Sequence, residues 1–399
     1  MDTILELDIT REGTGYNVKA RSTHGERSGF FELPPLNSKM SEILECIDKV
    51  KLLDEKFVKE FGTELFQILF SGVKDLLHQC LDESDHVNII LNMKDPSLNV
   101  VPWELSYDPE YKIYLGANPQ CSLLRRDQKS TQQFNTIDYP LKVLVIISSP
   151  LDLDERGEYQ PDPDEIFKLM NPVKLLENKG MVQLDFLERA SVDRIQDKLK
   201  EGYDILHFVG HGFYDEKTGN GYITIEDSSR NAKNLEGPQV AHLFGVNPPQ
   251  LVILTACESS PLIPSLLSRK IPAVLAMQYT VLVSVAHQFV ERFYSLLVKG
   301  DSVLQAVSDA RSAVLLNEGV GCTGWFTPVL YAKSLDVLKI NTESVPVIPE
   351  KVPEQVNIDI DLIGVETFVG RRKDLWSIEK ALLEDNLKMA IIKGIGGIG

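Results

Sequence analysis

Over the first 36 residues apolar and polar positions alternate, through Ile4, Leu5, Leu7 and Ile9 and again through Tyr16, Val18 and Ala20, with Gly13 and Gly15 between the two runs. A period of two broken by glycine predicts a β-hairpin. From Ser41 to Leu81 the period lengthens to that of a helix, with Ile43, Leu44 and Ile47, then Phe57, Phe61, Leu65, Ile68 and Leu69 on one stripe, and an interruption is expected near Gly62. Strands return in HVNIILNM and in the segment 111–116.

From Leu141 onward the pattern changes to short, continuous apolar runs rich in β-branched residues: LKVLVIIS, DILHFVG, YITIED, LVILTA, PAVLAM and TPVLYA. Runs without alternation mark strands buried on both faces, as in a largely parallel sheet sandwiched by helices. Two of the intervening helices are legible in Ala286, Val290, Phe293 and Leu297, and in Val303, Ala306, Val307, Ala310 and Val314. Pro346, Pro349 and Pro353 then sit among Glu and Lys, a composition suited to a semi-extended connector. After it come a helical stripe (Leu375, Ile378, Leu382, Leu383), a strand at 389–392 and a glycine-rich loop. The organisation expected is an α+β amino-terminal region at 1–138, an α/β domain at 139–335, a linker at 336–365 and the start of a further domain at 366–399.

Composition changes this picture little, but charge narrows it. The 399 residues carry 41 Lys plus Arg against 58 Asp plus Glu, a net charge of −17, which repels phosphate backbones and anionic lipid. Neither a nucleic acid nor a membrane is expected as a partner. No apolar run approaches the roughly 18 residues of a membrane span and the amino terminus has no signal-peptide layout, so a cytoplasmic protein is expected. The five cysteines, at 46, 80, 121, 257 and 322, include no Cys-x-x-Cys pair, which argues against a disulfide framework and a zinc site; no metal is expected.

Two apolar runs end in reactive residues. DILHFVG runs into His211 and Gly212, and LVILTA runs into Cys257. Reacting groups in open parallel sheets gather at the carboxyl ends of strands, where loops form the crevice. The 46-residue separation is close to the spacing of about 50 known for a caspase-type histidine and cysteine. A thiolate is a nucleophile, an imidazole can carry its proton, and a glycine beside the histidine lets backbone donors approach an oxyanion. His207, four residues earlier on the same strand, suits a core or orienting role. A zinc reading of His207 and His211 fails, because His-Glu-x-x-His needs a helix and a Glu base that this strand end lacks.

The segments DILHFVGHG, LVILTACESS, IPAVLAMQYTV and FYSLLVKGDSVLQAVSDAR, with the upstream VPWELSYD and SLLRR, resemble the CHAT domain, a caspase-like cysteine peptidase related to separase; the likeness covers about 85 to 332. The resemblance implies a caspase-like fold and peptide-bond hydrolysis on a protein substrate, with Cys257 as nucleophile and His211 as general base and acid. It also implies an oxyanion hole made by the backbone amides of Gly212 and Cys257. Related peptidases hold a basic P1 side chain on acidic residues, which makes Asp215, Glu226, Asp227 and Glu258 the candidates for an S1 pocket. The contrary reading is a catalytically silent, protease-like module for interaction or oligomerisation.

The carboxyl-terminal stretch from Phe368 resembles the opening of a STAND-class NTPase of NB-ARC or NACHT type. Gly394, Gly396, Gly397 and Gly399 fill the glycine positions of a partial phosphate-binding loop, and the lysine and Ser/Thr that would follow are absent. The sequence therefore reads as a piece of a longer multidomain protein. ATP and Mg²⁺ are expected only for the complete NTPase domain, and no cofactor for this chain. The same resemblance implies a sensor-regulated effector of antiviral defence or programmed cell death, with homo-oligomerisation through the NTPase region.

Overall fold

The computed structural model describes residues 2–35, 37–48, 51–126, 136–153, 163–215 and 217–346. The glycine-rich loop, the helix and strand expected before it and most of the proline linker lie outside the described residues. Strands β1 (Asp2–Glu12) and β2 (Gly15–Ser22) form the expected hairpin, with Glu12 opposite Gly15 and Gly13 at φ 60°, a conformation that glycine adopts without steric cost. A strand the pattern did not predict, β3 (Gly25–Phe31), pairs antiparallel with β2. Its first five residues are polar or glycine and mostly exposed because it lies at the sheet edge, and only Phe31 is buried, so no apolar alternation announces it. A Cβ at Gly29 would stand 1.6 Å from the Ser71 carbonyl oxygen, so this edge accepts only glycine where the chain passes over it.

The long helical stripe becomes α1 (Asn37–Asp48), α2 (Glu55–Leu69) and α3 (Lys74–Glu83). Asp54 caps α2 by accepting the Phe57 N–H at 3.0 Å. The interruption expected at Gly62 falls instead at residues 70–73, where Gly72 takes φ 73°. Gly62 lies inside α2, and a Cβ there would be 2.5 Å from the Leu105 carbonyl oxygen. That glycine marks a close approach between helix and chain. Next come β4 (His86–Met93), the short α4 (Pro96–Asn99), and the two-residue strands β5 (Tyr107–Asp108) and β6 (Ile113–Tyr114), which pair with each other. The segment 111–116 thus supplies no strand of the main sheet. That place is taken by β7 (Cys121–Arg126), whose Ser122, Arg125 and Arg126 break the apolar pattern yet are buried.

The rest of the chain follows as β8 (Thr136–Ile137), β9 (Leu141–Ile147), α5 (Pro163–Glu177), β10 (Val182–Leu187), α6 (Val192–Leu199), β11 (Ile205–Val209), β12 (Gly212–Asp215), β13 (Asn220–Glu226), β14 (Ala232–Glu236) and α7 (Gly237–Phe244). It ends with β15 (Leu251–Thr255), α8 (Ile263–Ser268), β16 (Ala273–Met277), α9 (Val283–Leu297), α10 (Val303–Glu318), β17 (Pro328–Ala332) and β18 (Lys339–Ile340). Among the described residues the main sheet has eleven strands in the order β10-β9-β11-β15-β16-β17-β7-β4-β1-β2-β3. All neighbours are parallel except β16 with β17 and the two pairs of the amino-terminal meander. The fold is therefore α/β, a large and mostly parallel sheet with helices on both sides, and the sheet runs without a break across residue 138. YITIED forms β13, which belongs to a separate antiparallel sheet, β12-β13-β14.

Two apolar clusters cover the two faces. Val143, Val145, Ile205 and Ile253 point to the side of α9 and α10, while Leu144, Ile146, Leu206, Phe208 and Leu254 point to the side of α6, α7 and α8. This is the period-two alternation of strands with both faces apolar. Each fully buried Val, Leu or Ile contributes about 1.5–3 kcal/mol, so the central strands alone supply much of the driving force.

An ionic cluster joins the amino-terminal strands to the rest. Glu104, Arg125 and Arg311 are all 0% exposed. The Arg125 guanidinium donates to Glu104 through Nε at 2.9 Å and through Nη2, and also to the carbonyls of Asn99 at 2.8 Å and Val101 at 2.9 Å. Arg311 lies 3.6 Å from the same carboxylate and donates to the Pro328 carbonyl at 3.1 and 2.6 Å. Burial opposes the charge on Arg125, but Glu104 more than offsets it, so its pKa stands above the ordinary value; burial, with Arg125 nearby, pushes Arg311 down to about 10. Removing the single carboxylate leaves two buried cations uncompensated. Glu104→Gln should therefore lower unfolding free energy in urea by about 3–5 kcal/mol, while the exposed Lys56–Glu60 pair predicts less than about 0.5 kcal/mol for Glu60→Gln. Equal, small losses in both variants would contradict the clamp.

Candidate active site

β11 and β15 are hydrogen-bonded parallel neighbours, with Val209 opposite Thr255. The chain leaving β11 through Gly210 to His211 and the chain leaving β15 through Ala256 to Cys257 therefore emerge side by side at the carboxyl edge. Both His211 and Cys257 are half-buried. A Cβ at Gly212 would stand 2.5 Å from the Cys257 carbonyl oxygen and 3.1 Å from the Ala256 Cβ, so glycine is what lets the two loops touch. Cross-ties hold them in place. The His211 carbonyl accepts the Thr224 N–H of β13 at 3.0 Å. Glu258, at φ 51°, accepts the Tyr214 N–H at 3.1 Å, which ties the cysteine loop to β12.

Sequence reasoning passed over one contributor. Ser259 is fully buried; its hydroxyl donates to the Leu254 carbonyl at 3.3 Å and accepts the Met277 N–H at 3.1 Å, locking the cysteine loop onto β16. Thr280 and Val281 lie just past β16, the parallel neighbour of β15. The signal available was the polar run CESS directly after a buried strand, and a second polar run after the neighbouring strand. Burial pushes the Cys257 thiol above its ordinary pKa, and Glu258 adds to this.

His207 is 0% exposed. Alternation along β11 turns it to the α9 side, where Nε2 is 2.8 Å from the Thr255 hydroxyl and Nδ1 is 3.2 Å from the Tyr294 hydroxyl. It joins the strand carrying His211 to the strand carrying Cys257, two residue pairs below the last pair, Val209 with Thr255. Of the acidic candidates, Glu258 lies next to Cys257, while Asp215 accepts the Lys217 N–H at 2.9 Å within the turn after β12. Glu226 is buried and accepts the Ser149 N–H at 3.1 Å and Arg230 Nε at 2.9 Å. Asp227 builds the turn between β13 and β14 by accepting the N–H groups of Ser229 and Asn231, each at 2.8 Å. These four carboxylates are held by different segments, and their contacts do not bring them to a common point. Gly394, Gly396, Gly397 and Gly399 lie outside the described residues. Among the described residues no group of three or more His, Cys, Asp or Glu is placed to hold a metal ion, and no helix is long and apolar enough to cross a membrane.

Residues 59–332 match the CHAT domain. The chain belongs to the CHAT domain family. Among solved structures this CHAT chain is similar to Saccharomyces cerevisiae separase in its complex with securin, at 12% identity and TM-score 0.47, over 85% of this chain and 30% of that one. It spans less than a third of the length of that separase. It is also similar to the Arg-specific cysteine proteinase gingipain R, at 12% identity and TM-score 0.41, over 73% of this chain and 69% of that one. The complex of the pro- and mature domains of Porphyromonas gingivalis RgpB gives 10% identity and TM-score 0.40, over 73% and 71%. No curated protein matches the chain.

Burial in this CHAT domain pushes His207 down to about 3 from an ordinary 6.5. Between those values the unfolded chain binds a proton that the folded protein excludes, so stability rises with pH across the window. The contribution is complete above about 6.5 and is lost as pH falls toward 3. His207→Gln should flatten the acid limb of the stability profile by about one proton's slope, about 1.4 kcal/mol per pH unit. Urea titrations between pH 6 and 4 with equal slopes in both proteins would contradict a neutral buried imidazole.

Proposed function

We propose that the chain is a caspase-like cysteine endopeptidase acting on protein substrates through Cys257 and His211. The observation that carries this reading is the emergence of both residues from the carboxyl ends of hydrogen-bonded parallel strands, with Gly212 packed on the Cys257 backbone. In the proposed reaction the Cys257 thiolate attacks the scissile carbonyl carbon, and the oxyanion that develops takes hydrogen bonds from the amides of Gly212 and Cys257. His211 holds the thiol proton and delivers it to the leaving amine as the C–N bond breaks. Water, deprotonated by the same imidazole, then cleaves the thioester and restores the thiol. His207 orients the two strand ends from below. Of the acidic candidates for a basic P1 side chain, Glu258 is the one that adjoins the nucleophile.

The reading extends to context. The stretch from residue 366 is proposed to begin a STAND NTPase domain, which would take ATP and Mg²⁺ when complete, mediate homo-oligomerisation and release the peptidase as an intracellular effector of defence or cell death. One observation favours the alternative of a silent interaction module: burial and Glu258 both disfavour the Cys257 thiolate.

Cys257→Ala and His211→Ala should each reduce peptide turnover by roughly 10³-fold or more without a change in unfolding midpoint, and the double variant should lose no more than either single one, because residues acting as one unit are not additive. Undiminished turnover in either single variant would overturn the assignment.

A further inference from the structure

We propose that the outer edge of β12 is the docking edge for an extended stretch of the substrate peptide, and that the Glu258 carboxylate closes this edge until the peptide displaces it. The inference rests on the reading of the site as one that receives a peptide, yet the docking itself can be tested without any turnover.

The direction of the edge follows from the register. β12 is an outer strand of the small sheet and, among the described residues, pairs only with β13. In an antiparallel pair, residues that bond across the pair alternate with residues that turn their N–H and C=O away from it. The Thr224 N–H donates to the His211 carbonyl at 3.0 Å, and the register then makes Phe213 with Tyr222 the next bonded pair. Gly212 and Tyr214 therefore direct their main-chain groups outward. The Tyr214 N–H agrees, because it donates not to β13 but to the Glu258 carboxylate at 3.1 Å. Glu258 supplies that acceptor from φ 51°, a left-handed conformation that residues with a side chain rarely adopt.

The chemistry of the occupant follows from what stands at this edge. A carboxylate oxygen that accepts an outward main-chain N–H takes the place of the carbonyl of a further strand, and strand edges bind extended peptides by adding one. The edge also begins at the candidate site. Gly212 follows His211 directly, and a Cβ on it would stand 2.5 Å from the Cys257 carbonyl oxygen, so a chain paired with β12 runs past the cysteine loop. Aromatic rings flank both faces of such a chain. Phe213, 37% exposed, stacks on Tyr222 at 5.0 Å, and Tyr214, 42% exposed, lies on the opposite face by the alternation of the strand. The displaced Glu258 carboxylate stays beside the docked chain, which favours a stretch that carries Lys or Arg.

The test tethers a probe peptide to Cys257 and reads hydrogen exchange at the Tyr214 amide. The probe is acetyl-Ala-Val-Cys-Arg-Val-Ala-amide as its 2-thiopyridyl disulfide, coupled to the folded chain in a Cys46→Ser background, which leaves Cys257 as the partly exposed thiol among the described residues. The Cys257 sulfur attacks the peptide sulfur and pyridine-2-thione departs. Without the probe, Glu258→Ala should speed Tyr214 exchange roughly 5- to 10-fold, and Glu258→Gln, which keeps a neutral acceptor, should speed it less. With the probe attached, Tyr214 in Glu258→Ala should return to the parent's rate or slower, and a probe methylated on every main-chain nitrogen should leave it fast. A Tyr214 amide indifferent to Glu258→Ala, one left fast by the probe, or one protected equally by the methylated probe would overturn the proposal, as would a Cys257 that reacts with dithiodipyridine but refuses the peptide. A chain that shows this protection without peptide turnover would remove the peptidase reading and leave the docking edge standing; turnover without the protection would do the reverse.

Discussion

The fold turns on one carboxylate. Glu104 is enclosed without access to water and neutralises the guanidinium of Arg125 while standing 3.6 Å from that of Arg311. These three residues come from segments far apart in the chain, and the carbonyls that complete their hydrogen bonds belong to still others. A buried ion cluster of this kind is not chiefly a source of stability, because taking the charges out of water costs about what their attraction returns. It acts as a constraint: arrangements that separate the three residues strand a charge in the core. The amino-terminal strands are thereby registered against β17 and α10.

The same cluster reaches the candidate site. Arg125 Nη2 donates to the Gln278 side chain at 3.3 Å, and Gln278 follows Met277, whose N–H donates to Ser259 of the cysteine loop. On the other flank His207 ties β11 to β15 from within the sheet, and Glu258 ties the cysteine loop to β12 from above. The Cys257 loop is thus fixed from both neighbouring strands. At the Cys257 sulfur burial is the largest effect and raises the thiol pKa, with Glu258 adding to it.

The strands of the central sheet were legible because burial on both faces leaves no alternation to disguise them, and His211 and Cys257 were legible because each directly follows such a run. β3 was not, since an edge strand made of GERSGFF has no apolar alternation to display. β7 was hidden by Ser122, Arg125 and Arg126, polar residues whose burial depends on partners contributed by distant segments. Gly62 misled for a related reason. Local pattern reads glycine as a helix breaker, whereas here it makes room for the backbone at Leu105, a contact that exists only after folding. Ser259 escaped because its role is set by the pairing of β15 with β16, which no local period encodes. The acidic residues show the limit most plainly: proximity in sequence to the strand ends suggested one pocket, and the carboxylates of Asp215 and Asp227 are engaged in their own turns.

The central claim, that Cys257 is a nucleophile served by His211 in a site built to receive a peptide, is tested most directly by a biotinylated peptidyl chloromethyl ketone with arginine at P1, followed by mapping of the labelled peptide. The account predicts stoichiometric modification of Cys257 that requires the folded chain and falls sharply in His211→Ala. Label that spreads to Cys46, the other partly exposed cysteine among the described residues, or that is unchanged by denaturation or by loss of His211, would contradict it.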